Sequence, residues 1–167
     1  RRAIIRKLPA VETLGSTTVI CSDKTGTLTK NEMTVQALWV VGQRYQISGV
    51  GYDRAGNLEQ DGAAISEVPD PIVVLAEAAT LCNDATLTVS DAGASATGDP
   101  TEAALVVLGE KVGVPAAATR DRHPRLDVVP FESEHQLMAT LHDHASGRFI
   151  AVKGAPEAVL ARCDGVD

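Results

Sequence analysis

Three short apolar runs late in the chain constrain its fold most. Residues 126–131, 136–142 and 149–153 each read as a strand. Only a few residues separate them, and Gly147-Arg148 forms the turn between the last two. Such short connections join antiparallel neighbours, because parallel strands need a much longer crossover. Earlier, 34–41 reads as another strand, with Gly42-Gln43 as a turn and 44–47 as its return. Two helices lie between these groups. Asp70-Pro71 supplies an N-cap and a first-turn proline, followed by Ile72, Leu75, Ala76, Ala79 and Cys82 at helical spacing. Asp99-Pro100-Thr101-Glu102 opens the second helix, which runs up to Gly109. A final helix starts at Gly154-Ala155-Pro156-Glu157 and runs through Arg162. Residues 48–69 read as loop, 83–96 as a loop or hairpin, and 120–125 as a charged connection. The expected class is α+β, an antiparallel sheet flanked by helices over residues 34–167.

Residues 1–33 read differently. Thr17-Thr18-Val19-Ile20-Cys21-Ser22 is a β-branched run expected to form a buried strand. It ends in the polar stretch Asp23-Lys24-Thr25-Gly26-Thr27-Leu28-Thr29, the kind of strand end where α/β folds place chemistry. A lone strand cannot be a domain. Residues 1–33 are therefore expected to be a fragment whose partner strands lie elsewhere in a longer protein.

Composition narrows the function classes. The 167 residues are 44% hydrophobic and 22% charged, a globular balance. Fifteen basic against 22 acidic residues leave a net charge of −7, which argues against nucleic acid as a partner. No apolar run is long enough to cross a bilayer, and the basic start is followed by too short an apolar stretch for a signal peptide. Cys21, Cys82 and Cys163 lack metal-ligand spacing, so a reduced chain without structural zinc is expected. The fragment is expected to be monomeric. Only 3% of residues are aromatic, so few positions can stack on a flat ligand.

An Asp at the end of a buried strand, beside a Gly-containing turn, can attack phosphorus and become an acyl phosphate. Lys24 and the Thr25 and Thr27 hydroxyls suit phosphoryl oxygens, and Mg²⁺ would complete such a site. The competing reading of Asp23 is an ordinary turn residue. The string Asp23-Lys24-Thr25-Gly26-Thr27-Leu28-Thr29 resembles the phosphorylation signature of the P-type ATPases, the ion-pumping membrane ATPases. The preceding Leu8-Pro9-Ala10-Val11-Glu12-Thr13-Leu14-Gly15 is similar to the segment before that signature in the cation pumps. The resemblance implies that Asp23 accepts the γ-phosphoryl group of ATP, with Lys24 and Thr25 beside it. It also implies that Asp23 and Thr25 ligate Mg²⁺ in an intact dehalogenase-like phosphorylation domain. Related phosphatases carry a second Asp two residues after the nucleophile. Thr25 stands there and cannot act as a general base near neutral pH, so a phosphorylated Asp23 would persist.

Four further segments resemble the nucleotide-binding domain of the same family, in the family's order. They are Leu81-Cys82-Asn83-Asp84, Gly98-Asp99-Pro100-Thr101-Glu102-Ala103-Ala104-Leu105, Pro130-Phe131-Glu132-Ser133-Glu134 and Lys153-Gly154-Ala155-Pro156-Glu157. The resemblance implies that Phe131 stacks on adenine; spacing alone reads it as a core residue. It places Lys153 deep in the pocket, where the alternative is a solvated strand end. Gly154 would let backbone approach the ligand. Glu102 is read either as the far end of a capping box begun by Asp99 or as a contact to the adenine amino group. Met138 is read as padding for the adenine slot or as core. Gln136 stands where many members carry a Lys near the phosphates, and Ser133 where some carry an Arg. The pocket therefore has less positive charge, and weak nucleotide affinity is expected. His135 reads as a surface turn residue that could offset part of this if protonated.

Ser133-Glu134-His135-Gln136-Leu137 is similar to a Ser-Glu-His-Pro-Leu string of heavy-metal pumps, without its proline. The other motifs are similar to those of calcium, sodium/potassium and proton pumps. After Thr29 the chain has no Gly-Asp-Gly loop followed by Asn-Asp, which the family uses for Mg²⁺. The expectation is a cytosolic excerpt of a membrane-embedded cation pump. It would bind ATP without turnover, and its partners would be the remaining phosphorylation, actuator and transmembrane domains. The alternatives are a soluble dehalogenase-type phosphatase, a heavy-metal-pump nucleotide domain, and an interaction domain that has lost nucleotide binding.

Overall fold

The computed structural model describes residues 16–19, 21–23, 29–90 and 93–165. The chain divides into two compact units, Arg1–Asn31 and Glu32–Asp167. In the first unit the expected strand over 17–22 is not formed at the described positions. Thr17, Thr18, Val19, Cys21 and Ser22 are exposed and outside any strand. A β-branched run becomes a strand only when a neighbour takes its backbone N–H and C=O groups. Among the described residues no strand pairs with it.

Among its described residues the second unit contains three antiparallel sheets and four helices. β1 (Ala37–Val40) and β2 (Gln43–Ile47) form a hairpin through Val41-Gly42, both at positive φ (49° and 69°). This is the turn conformation whose twist matches two strands joined by two residues. β3 (Leu58–Gln60) and β4 (Ala63–Ala64) extend the sheet in the order β1-β2-β3-β4. The sequence reading places both strands in a loop. Their signal is Asp61-Gly62, again at positive φ (52° and 80°).

α1 (Asp70–Leu81) buries Ile72, Ala76, Thr80 and Leu81. Its cap is Pro69, one residue before the expected Asp70, so Asp70 becomes a first-turn acid facing the positive end of the helix. β5 (Thr86–Ser90) and β6 (Gly93–Thr97) settle 83–96 as a hairpin. α2 (Pro100–Lys111) is capped by Asp99, whose Oδ1 accepts from the Thr101 and Glu102 amides at 2.8 and 3.3 Å. α3 (Ala116–Arg122) replaces much of the expected charged connection; its Ala run after Pro115 favours a helix.

The last sheet has the order β7-β8-β9, from Arg125–Glu132, Leu137–His144 and Gly147–Gly154. α4 (Pro156–Leu160) follows β9. Leu38, Tyr45, Ile47 and Leu58 of the first sheet pack on Ile72 and Ala76 of α1 and Leu108 of α2. Leu81 and Cys82, at the end of α1, pack on Met138 and Ala151 of the last sheet. α1 thus ties both sheets together. No helix among the described residues is long and apolar enough to cross a membrane.

The central strand β8 carries a buried imidazole. His142 is 1% exposed. Its Nδ1 lies 2.9 Å from the His123 carbonyl and its Nε2 2.8 Å from the Thr140 hydroxyl. A carbonyl only accepts, so Nδ1 carries the proton and Nε2 accepts from Thr140. Burial pushes the His142 pKa down; the hydrogen bond to the His123 carbonyl works against this, and the Arg125 charge adds to the lowering. The unfolded chain therefore takes up a proton that the folded chain refuses. This stability is full above the ordinary His value near 6.5 and is lost as pH falls through the lowered value. Thermal unfolding between pH 7.5 and 5 should show a declining melting temperature, with a slope from this site of at most about 1.4 kcal/mol per pH unit. His142→Gln should flatten that decline; an identical slope in the variant would exclude His142 as its source.

Candidate nucleotide cleft

The N-terminus of α2 meets the ends of β7 and β9 around a cleft of about 550 Å³, within the usual range for small-molecule sites. Each wall has a local cause. The Asp99 cap starts α2 at the cleft and places Thr101, Glu102 and Leu105 along it. Phe131 arrives through an irregularity in the β7–β8 pairing between Val129 and Glu132. Pro130 lies within it, and a proline without an N–H is tolerated at such a bulge. A bulge re-aims its side chains. Phe131 accordingly lines the cleft and is 58% exposed rather than buried in a core. Lys153 and Gly154 come from the end of β9.

The polar centre is an ion pair. Lys153 Nζ donates to Glu102 Oε1 at 2.5 Å, with side-chain exposures of 23% and 17%. Glu102 Oε2 accepts from the Asp84 amide at 3.1 Å. The Glu102 carboxylate is therefore not spent on the cap amide that a capping box would use. Asp99 lies beside this pair. Burial alone would raise its pKa, but hydrogen bonds from Thr101 and Glu102, and the Lys153 charge, hold it below the ordinary carboxylate value.

Of the six expected nucleotide residues, Glu102, Phe131, Lys153 and Gly154 line this one cleft. Gln136 and Met138 do not. Met138 is 2% exposed and packs with Leu81, Cys82 and Ala151. It is the cross-strand partner of Lys153, so it stands beside the lysine on the same face of the sheet. Gln136 is exposed in the β7–β8 turn at φ 54°, where its carbonyl accepts from the Ala155 amide at 2.9 Å. Gly154 has a structural requirement of its own. A Cβ there would lie 2.4 Å from the Gln136 carbonyl oxygen and 2.7 Å from Leu137 Cβ. Sequence reasoning did not single out Asp99, Thr101 and Leu105 as lining, although they lie inside the quoted Gly98-to-Leu105 segment.

In the first unit Asp23 is exposed, and its carbonyl accepts from the Ser22 hydroxyl at 3.3 Å. Lys24 and Thr25, the other expected catalytic and Mg²⁺-site residues, lie outside the described residues. Among the described residues no group of three or more His, Cys, Asp or Glu side chains converges as a metal site. A carboxylate such as that of Asp23 is the hard oxygen donor that Mg²⁺ takes.

The cleft offers an exposed aromatic face, an acceptor-only carboxylate and an ammonium. That combination fits a flat heteroaromatic ring bearing an amino group and an anionic tail. Residues 72–166 match the family model for the P-type ATPase cytoplasmic domain N. The chain is 47% identical over 172 residues to the cation-transporting ATPase pma1 of Synechocystis sp., covering 99% of this chain and 19% of that protein. It is 42% identical over 165 residues to the probable cation-transporting ATPase F of Mycobacterium tuberculosis, covering 98% and 18%. It is 42% identical over 166 residues to calcium-transporting ATPase 1 of Lactococcus lactis, covering 99% and 17%. The chain thus spans less than a fifth of the length of these relatives.

Proposed function

The chain belongs to the P-type ATPases, and from that premise we propose that its cleft binds ATP as part of a cation-transporting pump. The purine ring lies against Phe131, its amino group donates to Glu102, and Lys153 supplies positive charge. The observation that carries this reading is the convergence of Glu102, Phe131 and Lys153 on one cleft from three separate elements. Base–aromatic stacking contributes about 1–3 kcal/mol. With Gln136 in place of a lysine, binding in the millimolar range, near −4 kcal/mol, is expected.

In the whole pump, the Asp23 carboxylate attacks the γ-phosphorus of ATP. An oxygen–phosphorus bond forms to Asp23, the bond to the bridging oxygen breaks, and ADP leaves. Mg²⁺ bound at Asp23 and Thr25 would supply neutralising charge for the transferring group. Thr25 offers no general base, so the acyl phosphate outlives its formation, as a transport cycle requires. Residues 1–33 belong to the phosphorylation domain and 34–167 to the nucleotide domain.

The test is equilibrium binding of ATP with Mg²⁺, with phosphate release followed in the same samples. Saturable binding without sustained phosphate release is expected. Sustained release would favour a self-sufficient phosphatase, and no binding at several millimolar ATP would overturn the assignment of the cleft.

A further inference from the structure

The Glu102–Lys153 pair is continued by hydrogen bonds into the turn after α1. The Asp84 amide in that turn donates to Glu102 Oε2 at 3.1 Å. Asn83 Nδ2 donates to the Glu102 carbonyl at 2.9 Å and to the Ala79 carbonyl at 3.1 Å. A guanidinium grips the same turn. Arg125, the first residue of β7, donates through Nη1 to Asp84 Oδ1 at 2.6 Å. Its Nη2 donates to the Leu81 and Asn83 carbonyls at 3.0 and 2.7 Å. The Asp84 side chain is 63% exposed, so the ion pair by itself adds little stability. Its geometry matters more, because one planar group engages three acceptors of a single turn. That turn also carries the amide bound to Glu102.

We propose that Arg125 is a positioning residue for the cleft. By clamping the Leu81-to-Asp84 turn it aims the Asp84 amide at Glu102, and so holds the carboxylate that selects a 6-amino over a 6-oxo purine. The selectivity rests on the assignment of the cleft to a nucleotide. A carboxylate only accepts. Held between the Asp84 amide and Lys153, it receives a hydrogen bond from a 6-amino group and repels a 6-oxo group. Released from the amide, it swings aside and exposes Lys153, which can donate to a 6-oxo group. Discrimination then falls, because it depends on a polar group fixed where the wrong base cannot satisfy it.

The experiment compares ATP and GTP binding by amide NMR for the wild type, Arg125→Gln, Asp84→Ala and Phe131→Ala. The wild type should prefer ATP by about tenfold or more, and Arg125→Gln should lose most of that preference. Asp84→Ala should lose part of it, since Arg125 keeps its carbonyl partners. Phe131→Ala should lose detectable binding of both nucleotides while its Asp84 amide exchanges at the wild-type rate, since the ring takes no part in the clamp. In nucleotide-free protein, the Asp84 amide should exchange about tenfold faster in Arg125→Gln. An unchanged ATP/GTP ratio in folded Arg125→Gln overturns the selectivity role. If that variant does not fold, an unchanged ratio in Asp84→Ala does the same. Unchanged Asp84 exchange in folded Arg125→Gln overturns the clamp without reference to any nucleotide. A wild type that binds neither nucleotide overturns the assignment of the cleft, and the selectivity claim with it.

Discussion

ATP binding should fall below detection when Phe131 is replaced by alanine, while the fold survives. Phe131 is 58% exposed, so its removal leaves no core cavity, and melting should shift by no more than an ordinary surface change, about 0.5 kcal/mol. The ring's loss removes the stacking surface, about 1–3 kcal/mol, or roughly 5- to 150-fold in affinity. Starting from millimolar binding, that exceeds what a titration can follow. Lys153→Ala should also abolish binding, but with a different signature. Among the described residues it leaves the part-buried Glu102 carboxylate with the Asp84 amide alone, so stability should drop as well. Measuring binding and thermal unfolding on both variants separates the two roles. Equal affinity of Phe131→Ala and wild type for ATP would remove the ring from the binding site.

The second large effect is expected at Gly154. An alanine Cβ there would come within 2.4 Å of the Gln136 carbonyl oxygen, 2.7 Å of Leu137 Cβ and 2.8 Å of Leu137 Cα. These are backbone and near-backbone atoms, so no flexible side chain can swing aside. Gly154 pairs with Leu137, and the β8–β9 strand ends must separate to make room. Gly154→Ala should cost about 1–3 kcal/mol in urea unfolding, as overpacking does. ATP affinity should fall too, because Lys153 is carried on the displaced strand end. Gly165→Ala, where a Cβ meets nothing within 4 Å, is the silent control. Wild-type stability in Gly154→Ala would mean that the strand ends are not held together as described.

The last sheet was legible because each of its strands is a separate apolar run with a short connection. β3 and β4 were not, since 58–64 carries little alternation and only Asp61-Gly62 marks the hairpin. α3 was obscured because its charge dominates the local pattern. The helix is nevertheless held by tertiary contacts, with Arg120 Nη2 donating to the Thr80, Asn83 and Ala85 carbonyls. The described residues of the 17–22 run show the opposite failure: β propensity by itself does not make a strand.

In the cleft, Glu102, Phe131 and Lys153 were legible through motifs. The sequence does not decide Met138 between slot and core, because strand alternation gives a side chain's face but not its depth. Asp99 was readable as a cap, but its place on the cleft depends on β7 and β9 meeting the start of α2, which no local pattern encodes. The Arg125 clamp was invisible for the same reason: Arg125 and Asp84 lie 41 positions apart in the chain.

The central claim is that this cleft is where ATP binds, and amide NMR of the chain titrated with ATP tests it most directly. Shifts concentrated at Glu102, Phe131, Lys153 and Gly154, saturating in the millimolar range and absent in Phe131→Ala, are the predicted result. Shifts clustered away from these four residues, or none at several millimolar ATP, would contradict it.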